Sequence, residues 1–116
     1  PNYPEVSERR NSSLLHCGVG LSKYTGSGGK GGTNDASAEL VGFVRKIFDE
    51  AGVIWQTAEL GKVDQGGGGT VAKYIANHNI ETVDIGVPVL SMHAPFELIS
   101  KADLYEAHRA FSAFCK

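Results

Sequence analysis

Leu40, Val41, Phe43, Val44, Ile47 and Phe48 recur at i, i+3, i+4 and i+7 between polar residues. That period predicts an amphipathic helix ending near Gly52, with Asn34 and Asp35 as N-cap candidates. Upstream, Leu14 to Tyr24 mixes apolar and small residues and predicts a strand. Val53 to Leu60 alternates and carries β-branched and aromatic residues, which predicts another. A short helix is expected at 71–79, then a strand from Ile80 to Val87, continued as extended chain from Pro88 to Met92. Ser100, with Asp103 three residues on, nearly makes a capping box. Leu104, Ala107, Phe111 and Phe114 then mark the expected inner face of a C-terminal helix. Strand and helix alternate three times, so the expected fold is α/β with a mostly parallel sheet flanked by helices.

Composition narrows the class. The 116 residues allow one domain, and a formal charge of -2 gives no basic excess for a nucleic-acid partner. No stretch approaches the roughly 20 apolar residues of a membrane helix. Cys17 and Cys115 form no C-x-x-C pair and read as reduced thiols of a cytoplasmic protein, with a vacuole or another compartment, and a disulfide, left open. Pro1 to Ser12 is polar and turn-like, reads as an extended segment cut from a loop, and shows no signal-peptide pattern. The expectation is a piece of a longer polypeptide.

Fifteen glycines gather largely in two clusters. Gly26 to Thr33 departs from the phosphate-binding G-x-x-x-x-G-K-[ST] pattern, because Lys30 is followed by two glycines. Gly66, Gly67, Gly68, Gly69 and Thr70 precede a helix, where main-chain N–H groups and the helix dipole suit a carboxylate, a phosphate or a polarised carbonyl. His93 follows an apolar run and precedes a turn at Ala94–Pro95, beyond a strand, where α/β folds hold ligands; it is the metal-ligand candidate. Glu97 is placed either to orient that imidazole or to stand as an exposed acid. His78 and His108 read as solvated helix residues, and His16 as a strand residue, itself open to burial with one partner. Three functions fit: a metallopeptidase piece, a non-catalytic anion- or nucleotide-binding module using Gly66–Thr70, and an interaction domain with buried glycine loops.

The block Ser91-Met92-His93-x-Pro95-Phe96-Glu97, with Asp84-x-Gly86-x-Pro88 upstream, resembles the C-terminal end of the aspartyl aminopeptidase and vacuolar aminopeptidase I family. The stretch GKVDQGGGGTVAKYIA resembles the loop and helix just upstream in that family, and PNYPE resembles the residues that follow its metal-ligand Asp. The resemblance covers nearly the whole chain in order. It implies the C-terminal portion of a zinc-exopeptidase-like catalytic domain and a dinuclear zinc centre that removes N-terminal residues from peptides. His93 is then a zinc ligand, Gly66–Thr70 lies near the peptide, and the assembly is a homo-oligomeric dodecamer built from dimers. The family's other ligands and its general base match no position here, so no catalytic residue is assigned, and the remainder of the same polypeptide is an implied partner. Lys23, Lys30 and Lys62 are candidates for holding an acidic first residue; a neutral one fits equally.

Overall fold

The computed structural model describes residues 12–26, 33–59 and 69–116. Its elements are β1 (Val19–Ser22), β2 (Tyr24–Gly26), β3 (Thr33–Asp35), α1 (Ala38–Glu50), β4 (Trp55–Thr57), α2 (Ala72–Ala76), β5 (Asp84–Gly86), β6 (Val89–Leu90), β7 (Leu98–Ile99) and α3 (Lys101–Phe114).

The central sheet has the order β4-β1-β5. β1 runs parallel to β4, with Val19 opposite Trp55, and antiparallel to β5, with Gly20 opposite Gly86. The fold is α/β as expected, and this sheet is mixed. The direction of β5 has a local cause. Thr70 and Asp84 meet Thr25 near the end of β1, so the chain re-enters the sheet there and must run back. The pairs β2–β3 and β6–β7 are antiparallel.

α1 forms where the periodicity places it. Its N-cap is Ser37, whose hydroxyl accepts the Leu40 N–H, because Asn34 and Asp35 are used in β3. It stops in a Schellman arrangement: Val53 N–H reaches Phe48 O, Gly52 N–H reaches Asp49 O, and Gly52 has φ +64. Val44 and Phe48 are fully buried against Val19 and Leu21 of β1 and Ala107 and Ala110 of α3, whereas Phe43 is exposed.

α3 is rotated from the expected face. Asp103, Glu106, Ala107 and Ala110 point inward, and Leu104, Phe111 and Phe114 are about half exposed. Hydrogen bonds set the rotation. Asp103, 1% exposed, accepts the N–H groups of His16 (2.8 Å) and Gly18 (2.9 Å). Glu106 accepts the Ile54 N–H at 2.9 Å and pairs with Arg109, which donates to Ala51 O. Ser100 caps α3, but the Asp103 carboxylate serves the turn at residues 16–18, just ahead of β1. Gly18 (φ +88) is required there, since a Cβ would fall 2.1 Å from Ile54 O. This turn replaces the first half of the strand expected from Leu14. His16 lies in it, exposed, with φ +65 and its Nδ1 at 2.9 Å from Ser100 Oγ.

Candidate functional site

β6 ends at Leu90 and the chain turns through Ser91 (φ +59) and His93 (φ +68). Left-handed backbone is uncommon outside glycine, with His among the more tolerant types, and it concentrates at functional turns. Two contacts hold the turn. Ala94 N–H donates to Ser91 O at 2.9 Å, and His93 N–H donates to Glu97 Oε1 at 2.7 Å. Of the two readings of Glu97, the exposed acid is the one observed: it is exposed and fixes the main chain of His93, not the imidazole. The ring is exposed, and no described residue hydrogen-bonds to it. No described residue therefore competes with a cation for its lone pair. Among the described residues no three His, Cys, Asp or Glu side chains converge, so His93 offers one donor toward the about three that catalytic zinc takes. A single contributed imidazole is chemically compatible with zinc. His78 and His108 are exposed, and Cys17 and Cys115 are free and exposed.

Of the glycine-rich stretch, Gly66, Gly67 and Gly68 lie outside the described residues; Gly69 and Thr70 lie within them. α2 spans only five residues, too short for a strong dipole, and its Ala72 N–H already donates to Thr70 Oγ1 at 3.2 Å. The helix-dipole argument for an anion here loses its footing.

Thr70 instead joins a cluster the sequence did not reveal. Its hydroxyl donates to Asp84 Oδ2 at 3.1 Å, and the Thr25 hydroxyl reaches the same oxygen at 3.1 Å. The two hydroxyls stand 3.2 Å apart. Each carries one proton, so with both donating to the carboxylate their own closeness follows from sharing an acceptor. Thr25 is buried and Asp84 half-buried. An Asp within a strand-like run is out of place by propensity, and that was the available signal.

Beside this cluster, Glu59 follows β4 and accepts the Tyr24 N–H at 3.3 Å. Burial pushes its carboxyl above the ordinary carboxylate range; the Tyr24 and Lys23 N–H groups and the Lys23 charge oppose the rise, and Asp35 adds to it. Lys23 is ion-paired with Asp35, which occupies the one described lysine among the acidic-residue candidates. Lys30 and Lys62 lie outside the described residues.

Comparison with known proteins gives one consistent result. The profile of the family described as Aminopeptidase I zinc metalloprotease (M18) matches residues 1–115. A probable M18 family aminopeptidase 1 of Clostridium acetobutylicum is 54% identical over 114 residues, 98% of this chain and 24% of its own length. The crystal structure of an M18 family aminopeptidase from Thermotoga maritima superposes with a TM-score of 0.89 at 52% identity, over 100% of this chain and 26% of that one. Aminopeptidase I from C. acetobutylicum superposes at 0.87 and 53% identity, over 100% and 25%. The chain spans about a quarter of the length of the curated relatives it matches.

Proposed function

This chain belongs to the M18 family of aminopeptidase I zinc metalloproteases, and on that premise we propose that it works as one part of a zinc aminopeptidase. The observation that supports this most is the exposed His93 imidazole on a left-handed turn whose main chain is pinned by Glu97. His93 donates a ring nitrogen to zinc. Glu97 holds the turn that aims it. Gly66 to Thr70 offers main-chain N–H groups to the peptide, with Thr70 anchored to Asp84. Bound zinc supplies Lewis acidity to a peptide carbonyl and to water. No residue of this chain is assigned as the general base, so the remaining ligands and the base come from other parts of the polypeptide. A dinuclear centre and self-association into a dodecamer belong to the same proposal.

The test places this chain in the frame of the C. acetobutylicum relative, in exchange for the quarter it matches, and measures bound zinc and release of N-terminal residues from peptides. The expected result is parental zinc content with hydrolysis, and loss of both in His93→Asn, which tolerates the left-handed turn. Unchanged zinc in His93→Asn, or hydrolysis by the isolated 116-residue chain, refutes the proposal.

A further inference from the structure

We infer that the open edge of β5, with the apolar cleft beside it, seats a further β-strand supplied by another part of the same polypeptide. β5 lies at the end of the order β4-β1-β5, so among the described residues it is paired on one side only. Such an edge presents a row of N–H and C=O groups that can template another strand. The opposite edge strand, β4, has its side chains engaged within the chain. Trp55 lies under Arg45 and donates to Asp49 Oδ1 at 2.8 Å. Gln56 holds the main chain of Leu14 through both of its amide atoms, at 2.9 and 2.8 Å. Beside β5 the surface is apolar and open instead. Val83 and Ile85 share one face of the strand, which packs toward the core. With Asp84 and with Phe111 and Phe114 of α3 they line a cleft of about 290 Å3. The two phenylalanines are 53% and 46% exposed, and leaving that much apolar surface in water is costly. One added strand answers both features. Its main chain pairs with the open edge, and every second side chain falls over Val83, Ile85 and the two rings, so those side chains are apolar. The source follows from length. This chain matches 24% of the C. acetobutylicum relative and 25% of the T. maritima one, so most of each relative lies outside it. A strand tethered in the same polypeptide meets the edge at high effective concentration, against which a second copy would have to compete.

The experiment is residue-resolved amide hydrogen exchange on the complete polypeptide that carries this chain. Paired with β1 alone, β5 turns alternate amides away from the sheet, and those exchange near the unstructured rate. With a strand on both sides, the amides of Asp84, Ile85 and Gly86 are all slowed, each by about a hundredfold or more, which is the expected result. Alternating protection across these three residues overturns the inference. Phe111→Ser, which removes one wall of the cleft, is expected to speed exchange of the outward amides about tenfold, with amides in the middle of α1 changed less. Outward amides indifferent to this variant overturn the cleft as part of the seat. If the variant does not fold, the pattern in the unsubstituted protein decides alone. Protection that fades on dilution, in step with the mass measured by light scattering, assigns the edge to a second copy and overturns the same-chain source. Zinc and turnover do not enter these readouts, so the peptidase reading and this inference can fail separately.

Discussion

Replacing Asp103 with Asn tests how the C-terminal helix is held. The carboxylate is 1% exposed and spends one oxygen on each of two main-chain donors, His16 N–H at 2.8 Å and Gly18 N–H at 2.9 Å. Asparagine keeps the shape but has one acceptor oxygen, and its NH2 must face the other donor. A buried N–H left without an acceptor costs about 1–3 kcal/mol. The surviving bond falls from the charged range, about 1.5–3 kcal/mol, to the neutral one, about 0.5–1.5. Together the loss is about 3 kcal/mol, felt first as local opening of the turn at residues 16–18. Hydrogen exchange reads such opening directly. At about 1.4 kcal/mol per factor of ten, exchange of the His16 and Gly18 amides should quicken about a hundredfold. Amides in the middle of α1 should change far less. An exposed control, Lys101→Ala, should change stability by no more than about 0.5 kcal/mol. Exchange at His16 and Gly18 within about threefold of the parent would refute the account, because local opening would then cost nearly the same without the carboxylate.

Two glycines with positive φ should respond differently to alanine. Gly18→Ala, whose Cβ would meet Ile54 O at 2.1 Å, should cost more than about 3 kcal/mol or abolish soluble expression. Gly52→Ala meets nothing nearer than Arg109 at 3.7 Å and should cost about 1 kcal/mol; equal melting temperatures for the two variants would contradict this. For Glu59, the raised folded value means the native state holds its proton more firmly than the unfolded chain. Stability therefore falls as pH rises from the unfolded value through the folded one. The melting temperature of the parent relative to Glu59→Gln should drop across that window, and a difference that is flat or grows with pH would contradict the burial account.

How much was legible varied with how local the cause was. α1 and its end at Gly52 follow from apolar spacing and one glycine, both visible in a short window. Its start did not, because Asn34, Asp35 and Ser37 are all good caps; pairing of β2 with β3 removed the first two. The buried face of α3 is turned about a fifth of a turn from the apolar one. Leu104, Phe111 and Phe114 are more apolar than Asp103 and Glu106, but the acids find main-chain donors at residues 16, 18 and 54, far away in sequence. The sheet's mixed direction likewise depends on where Thr70 meets Thr25. That His93 lies on a turn just beyond a strand was readable from its place in the chain. Glu97 was readable as a neighbour but not as a main-chain anchor. Asp84 stood out as an acid in a strand-like run and as part of the resembling block, but its partners Thr25 and Thr70 lie on separate segments and could not be paired with it.

The left-handed conformation at residue 93 also limits what can replace the histidine there. Alanine at φ +68 deletes the ring but also strains the turn, so a loss seen with it mixes two effects. Asparagine accepts that dihedral region far more readily, and valine or isoleucine would resist it. A substitution series at this position should therefore sort first by backbone tolerance and only then by affinity for a cation. Asparagine is the replacement that separates the two.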